Sequence, residues 1–324
     1  MKTNTKGISL SLLSLLLLSS CGKKTYQVED YRLTLEYHNS FNIVQWTDLH
    51  VGLQSDTNEV FNLLTKQVEN SRLLFGETDL LILTGDTFMG ADKKQVRDTF
   101  RFIDSLEIPF AFTYGNHDLH SSYSKYYIQD TIMKCKNAMF IDYKDDDLTG
   151  MTNYFIDLVS NDKTEYRIYI IDSNSYHADM FSLDYDVIHE DQIQHMENIA
   201  STYGKVPSLA FFHIPFYEFD VAYNLYLKDE IKGSGTNGEQ VSDPYKKTDA
   251  YQRMKDINVK GMFVGHDHVN DTTLDYHDTI LSYGLKSTHE IYSDRIGYTW
   301  INLKGDGNLA LEDVTKVYYE GEIV

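Results

Sequence analysis

Five short apolar runs constrain this chain more than any other feature, because each leads straight into residues that bind hard cations. Ile43-Val44-Gln45-Trp46 leads into Asp48-Leu49-His50, Leu80 to Leu83 into Gly85-Asp86, and Phe110-Ala111-Phe112 into Gly115-Asn116-His117-Asp118. Leu209 to Phe212 ends at His213, and Met262-Phe263-Val264 at Gly265-His266-Asp267-His268. Runs of this length and composition, bounded by turn formers, read as buried strands. Between the first three lie helix-period segments. One starts at Asp56 or Thr57 with Val60, Leu63, Leu64 and Val68 as its apolar stripe, and the other spans Lys93 to Leu106 with Val96, Phe100 and Ile103. Strand and helix alternating in this way make an α/β sheet core. In such sheets, sites assemble in the crevice beyond the carboxyl ends of the strands, where residues distant in sequence converge.

The rest of the chain fits around that core. Tyr154 to Leu158 and Tyr166 to Ile171 read as a strand pair, Asp191 to Tyr203 as a helix, and Thr272 to Asp313 as mostly antiparallel strands. Tyr217 to Asp249 reads as an irregular segment, either overhanging the site with Phe216, Tyr217, Glu239 and Tyr245 as contacts or forming a plain surface loop. Its Gly233-Ser-Gly235-Thr-Asn-Gly238 matches a dinucleotide fingerprint in form only, since charged Lys228-Asp229-Glu230 precede it where a buried strand is needed. The acidic cluster Asp142 to Asp147 reads as a solvated turn.

With 29 Lys plus Arg against 49 Asp plus Glu, the formal charge of −20 repels phosphate backbones, so nucleic acid is not an expected partner. Two cysteines, Cys21 and Cys135, exclude a disulfide scaffold and a cysteine-rich zinc module, leaving His, Asp, Asn or Glu to hold any metal. At the amino terminus, Lys2 and Lys6 precede an apolar stretch from Ile8 to Leu18, too short to span a bilayer of about 30 Å. It ends in Leu18-Ser19-Ser20-Cys21, which resembles a bacterial lipobox. The expected organisation is therefore a signal peptide over 1–20, a lipidated tether and lead-in strand over 21–38, and a catalytic domain over 39–324. Cys21 would carry the lipid anchor, placing the protein outside the cytoplasm on the cell membrane.

The ligand-bearing strand ends suit a two-ion centre. Two ions held close together need oxygen and nitrogen donors from several directions, one bridging carboxylate, and open positions for water and substrate. Asp86 is the natural bridge. Glycines before Asp86, Asn116 and His266 allow sharp turns and leave room for the ions. Each motif alone is weak; the joint arrangement, always after a buried strand, is what points to a site.

Taken in that order, the motifs resemble the calcineurin-like metallophosphoesterases, over roughly Asn42 to Leu303. The branch near the class III purple acid phosphatases is the most similar, through Phe212-His213-Ile214-Pro215 and Gly265-His266-Asp267-His268-Val269-Asn270-Asp271. The resemblance implies a four-layer α/β/β/α sandwich of two mixed sheets flanked by helices. It also implies that Asp48, His50, Asp86 and His268 hold one metal, and that Asp86, Asn116, His213 and His266 hold the other. His117 is then the catalytic histidine and Asp118 its orienting partner. The ions implied are divalent or trivalent Mn, Fe or Zn. Met89 stands where purple acid phosphatases proper carry the tyrosine that colours a ferric ion, and His50 where they usually have glycine, so a purple chromophore is not implied.

The expected chemistry is hydrolysis of a small phosphorylated substrate, monoesters favoured, by a metal-bound hydroxide with His117 as general acid. A phosphodiesterase or nucleotidase of the same fold stays open, as does a metal-dependent binding lipoprotein without turnover. A serine hydrolase does not, for want of a Gly-x-Ser-x-Gly motif. His120 is near enough to Asn116 to line the pocket, and Asp172 is expected to pack a strand or turn.

Overall fold

The computed structural model describes residues 28–52, 56–120, 123, 126–141, 148–178, 183–289, 291–292, 295–305 and 307–319. The signal segment 1–20, Cys21 and the acidic cluster 142–147 lie outside the described residues. In chain order the elements are β1 (Arg32–Glu36), β2 (Ser40–Trp46), α1 (Thr57–Phe75), β3 (Leu80–Thr84), α2 (Lys93–Ser105), β4 (Phe110–Thr113) and α3 (Tyr126–Ile132). There follow β5 (Asn153–Ser160), β6 (Lys163–Ile171), β7 (Tyr176–Ala178), β8 (Leu183–Tyr185), α4 (Glu190–Tyr203), β9 (Ser208–Phe211), α5 (Tyr217–Tyr226) and β10 (Gly233–Ser234). The chain closes with α6 (Ala250–Asp256), β11 (Val259–Val264), β12 (Thr273–Tyr276), β13 (Thr279–Tyr283), β14 (Gly297–Lys304) and β15 (Ala310–Tyr318).

A five-stranded sheet runs β15-β14-β2-β3-β4 and an eight-stranded sheet runs β1-β5-β6-β9-β11-β13-β12-β10. Four of the apolar runs lie on interior strands and the fifth forms the edge strand β4; all are covered on both faces, where strands are uniformly hydrophobic. β2, β3 and β4 are parallel neighbours, as are β6, β9 and β11. Parallel strands lie about 4.8 Å apart, so the residues leaving their carboxyl ends emerge side by side. Helices α1, α2 and α3 pack together against the smaller sheet, while α4, α5 and α6 cover the larger one, giving helix, sheet, sheet and helix in layers. Both central helices of the first half start as their sequences ask. Asp56 accepts the Asn58 N–H at the N-terminus of α1, and Asp92 with Gln95 closes a capping box on α2.

The sheets are stitched by buried hydrogen bonds near the ends of their strands. Gln45 Nε2 donates to the Val264 carbonyl at 3.1 Å, Thr113 Oγ1 to the Ile171 carbonyl at 2.7 Å, and Tyr154 Oη to the Phe112 carbonyl at 3.1 Å. Val264, Ile171 and Thr113 are the last residues of β11, β6 and β4, so the polar stitching sits at the rim toward which the ligands point.

One expectation needs correction. The segment from Tyr217 to Asp249 is only partly irregular: it begins with α5 and contributes β10 at a sheet edge. Phe219 and Ala222, three apart, supply the buried face of α5, and the polar-tipped Tyr217, Tyr223 and Tyr226 around them blur the period. The region after Thr272 is mostly antiparallel, as expected, with β13 lying parallel to β11.

At the far edge, Arg167 is buried in β6. Its Nε donates to Asp157 Oδ1 at 2.7 Å and one terminal nitrogen to the Gly204 carbonyl at 3.1 Å. Asp157 also accepts Arg32 Nε at 2.9 Å, tying the lead-in strand β1 to its neighbours. Removing one partner of a buried ion pair leaves a charge without compensation, which costs roughly 3–5 kcal/mol. Asp157→Ala is therefore expected to lower unfolding free energy by about that amount in a denaturant titration, while Asp98→Ala, at an exposed pair on α2, shifts the midpoint little.

Candidate metal centre

The ligand-bearing loops leave their strands by backbone conformations that side chains rarely adopt. Asp48, His50, Asp86 and His266 have φ of 55°, 48°, 48° and 77°, in the left-handed region. Such strain concentrates where the surroundings over-determine a functional geometry. Two glycines are required by close approach. A Cβ at Gly115 would sit 2.2 Å from Asp86 Oδ1, and one at Gly265 would sit 1.9 Å from Thr47 Oγ1 and 2.6 Å from Asp48 Oδ2.

These turns bring together the residues that the strand ends carry. The ligating atoms of Asp48, His50 and His268 lie within 4.8 Å of one another, as do those of Asp86, His213 and His266, and those of His50, Asp86 and His117. Asp86 stands between the groups. Its Oδ2 is 3.2 Å from His213 Nε2, 3.4 Å from His50 Nε2 and 3.9 Å from His117 Nε2. Asp48 Oδ1 is 3.4 Å from His268 Nε2 and 3.9 Å from His213 Nε2. All of these except His117 are buried, and the His117 side chain keeps 23% of its surface open.

The carboxylates are held so that one oxygen of each is used by the scaffold and the other is aimed inward. Asp86 Oδ1 accepts the His117 N–H at 2.7 Å, and Asp48 Oδ2 accepts the Thr47 hydroxyl at 2.7 Å and the His266 N–H at 3.1 Å. His213 Nδ1 donates to the Thr84 carbonyl at 2.9 Å, which orients the ring with Nε2 toward Asp86. Asn116 Nδ2 donates to the Tyr176 hydroxyl at 3.0 Å, leaving Oδ1 as the inward atom. Asp48 Oδ1, His50 Nε2, Asn116 Oδ1, His213 Nε2, His266 Nε2 and His268 Nδ1 are buried without a hydrogen-bond partner. Buried polar atoms are normally paired, so six orphans on residues that converge in one place mark a spot built for a group other than protein. Oxygen and imidazole donors of this kind fit borderline and hard cations.

Electrostatics point the same way. Burial opposes ionisation of Asp48 and Asp86, yet the surrounding imidazoles, His213 foremost, hold both carboxyls below the usual carboxylate range. Burial also disfavours a charged His213, but Asp86 and Asp48 outweigh it and raise that imidazole to about 10. Burial brings His50 down to about 4 and His266 to about 3, which leaves both rings neutral with lone pairs to offer. The protein by itself balances its two buried anions with a proton on a ring positioned as a ligand, a place that a metal cation fills better.

All seven residues expected to hold metal thus meet at one rim, and His117 stands at its open side. Asp118 differs from its expected role. Its two oxygens accept the N–H groups of Gly115 and Phe88, each at 2.8 Å, so it braces the turn that presents Asn116 and His117. The resemblance implied contact with the imidazole; at His117 Nδ1 the neighbour is His120 Nδ1, 3.3 Å away. Of the four expected contacts from the overhanging segment, Glu239 accepts the Val269 N–H and braces the loop after His268, while Phe216 packs on Phe212 in the core. Tyr245 stacks on His177 of the β7–β8 hairpin, and Tyr217 lies under Lys247. Asp172 ties a turn, accepting the N–H groups of Met151 and Asn174.

Sequence reasoning missed Lys286, Thr47, Tyr176 and Tyr185. Tyr185 sets its ring edge-on to His266 at 4.3 Å. Lys286 donates to the Asp48 carbonyl at 2.6 Å and meets His50 Nδ1 at 2.9 Å. Thr47 sits between a strand and its ligand motif but is not itself a metal-ligand type, and for Lys286 the available signal was a lysine after the largely apolar Ser282-Tyr283-Gly284-Leu285.

The chain is similar to a probable inactive purple acid phosphatase 29 of Arabidopsis thaliana, 25% identical over 78% of this chain and 73% of the relative. It is also similar to phosphatase DCR2 of Saccharomyces cerevisiae, 26% identical over 75% of this chain and 46% of that protein, so it spans less than half of the yeast relative. The solved structure of TT1561 of Thermus thermophilus overlaps it with a TM-score of 0.47 at 9% identity, over 84% of this chain and 98% of that one. The family model described as calcineurin-like phosphoesterase matches residues 41–270, which include every residue of the centre from Asp48 to His268, and the chain belongs to that family.

Proposed function

We propose that this protein hydrolyses phosphate esters, monoesters foremost, with two divalent or trivalent ions of Mn, Fe or Zn. Asp48, His50 and His268 would hold one ion, Asn116, His213 and His266 the other, and Asp86 both. The observation that carries this reading is the convergence around Asp86 of six residues with unpartnered buried donor atoms. Ions bound there would offset the charge of the phosphoryl oxygens and acidify a water, the two obstacles to attack on an anionic ester.

The chain's own groups do the rest. Asp86 fixes the spacing of the two halves, and its Oδ1 bond to the His117 N–H sets where that imidazole stands. Burial draws His117 below its ordinary value against the pull of Asp86, so a proton on its ring is readily given to a departing alkoxide. His120, exposed to solvent and facing His117 Nδ1, connects that ring with water. The acidic exterior is compatible with an anionic substrate because the local field at the centre comes from the ions. It also disfavours nucleic acid.

A second reading rests on a specific finding, the word inactive in the name of the Arabidopsis relative. A binding protein on this fold would keep the metal ligands and have no use for a general acid. His117→Ala separates the two: the hydrolytic reading expects kcat for aryl phosphate monoesters to fall by roughly 10²-fold to 10⁴-fold with metal content unchanged. No turnover by the parent chain loaded with Mn, Fe or Zn favours the binder. Comparing aryl monoesters with diesters tests the diesterase variant.

Metal dependence is tested by elemental analysis. Two ions per chain are expected, with activity lost on chelation and restored on reloading, and with Asp86→Ala losing both ions. Gly115→Ala, whose Cβ would meet Asp86 Oδ1, is expected to mimic Asp86→Ala in metal content. For location, the proposal is a lipid anchor on Cys21 outside the cytoplasm. Cys21→Ser is expected to shift the protein from the detergent phase to the aqueous phase on phase partition.

A further inference from the structure

The loop that carries Asp48 and His50 is held by a segment far along the chain. Three consecutive carbonyls of that loop are each met by one of three consecutive residues after β13. The Thr47 carbonyl accepts the Ser287 N–H at 3.0 Å, the Asp48 carbonyl accepts Lys286 Nζ at 2.6 Å, and the Leu49 carbonyl accepts the Thr288 hydroxyl at 2.9 Å. The Ser287 hydroxyl accepts the Thr47 N–H at 3.1 Å, closing the splint from the other side. Lys286, Ser287 and Thr288 are all buried. Lys286 Nζ also meets His50 Nδ1 at 2.9 Å, on the side of the ring away from Nε2, which faces Asp86.

This loop needs holding. Asp48 and His50 have left-handed φ, a conformation that non-glycine residues keep only when their surroundings enforce it. The loop after His268 is met in turn by Gly238 and Glu239, and His213 takes its orientation from a carbonyl of the adjacent strand end, Thr84. The segment also lies beyond residue 270, where the match to the family model ends.

We propose that Lys286-Ser287-Thr288 is a positioning segment for the Asp48–His50–His268 half of the centre, acting through the three carbonyls of the loop that carries Asp48 and His50; this rests on the two-ion reading given above. Groups outside the ligand set that fix how ligands are presented typically change metal affinity by roughly 10-fold to 100-fold when removed. Here the effect is expected at one half only.

The test measures metal binding on the full chain, stripped with a chelator and titrated calorimetrically with Zn²⁺ alone, with thermal melts to confirm folding. The parent is expected to take two ions. Lys286→Met should weaken one by about 10-fold or more and leave the other at parent affinity. In a His50→Ala background the same substitution should add less than about twofold, because residues acting through one another are not additive. Thr288→Val, which removes only the hydroxyl bond to Leu49, should weaken the same ion and serves if Lys286→Met does not fold. Parent affinities in both variants overturn the proposal, as does equal weakening of both ions, or a full additional loss in the His50→Ala background. A parent that binds fewer than two ions overturns the two-ion reading and this assignment with it.

Discussion

Two buried carboxylates, Asp48 and Asp86, face one another's imidazole partners across the rim where the sheets meet, and the rest of the site answers to them. Isolated buried charge is costly, and a chain that places two anions in its interior must supply positive charge there. The imidazoles of His50, His213, His266 and His268 surround these anions, yet burial pulls His50 and His266 away from charge and leaves the positive balance mainly on His213. Carboxylates packed among imidazoles with unpartnered nitrogens are the arrangement that a metal cation satisfies. The folded framework is thus made for a ligand of opposite sign.

That placement follows from strand direction. Because β2, β3 and β4 are parallel in one sheet and β9 and β11 in the other, all five carboxyl ends reach a common rim, and short turns deliver the ligands with little loop to order. The turns then carry the strain: left-handed backbone at four ligand residues, and glycine where a Cβ would strike Asp86 or Asp48. The polar stitching of Gln45 to Val264 and Thr113 to Ile171 lies just beneath, so the sheets cannot slide without disturbing the centre.

How much of this could be read from the residues depended on range. The apolar runs and the ligands after them were legible because strand, turn and ligand are contiguous, and parallel pairing turns that local order into convergence. The role of Asp118 was taken from the resemblance, while its partners are the Gly115 and Phe88 amides, visible only once the turn is folded. Helix α5 was hidden because tyrosines interrupt its polar face with rings that satisfy neither period. Lys286 was out of reach, since a contact across 236 positions has no local pattern.

The Lys286–Thr288 segment also shows why the carboxyl-terminal strands belong to the site although they bear no ligand. Ser287 pairs with Thr47 at the end of β2, and Gly297 at the start of β14 donates to the Lys286 carbonyl, so the splint is itself anchored by the strand that flanks β2 in the sheet. A loop in a strained conformation keeps it only if its supports are stiffer than the strain is large. Here the supports are a central strand on one side and, on the other, a buried segment whose own carbonyl is tied to the neighbouring strand. The precision of the Asp48 and His50 half therefore depends on the strands β13 and β14 that frame the segment as much as on the residues that would touch an ion.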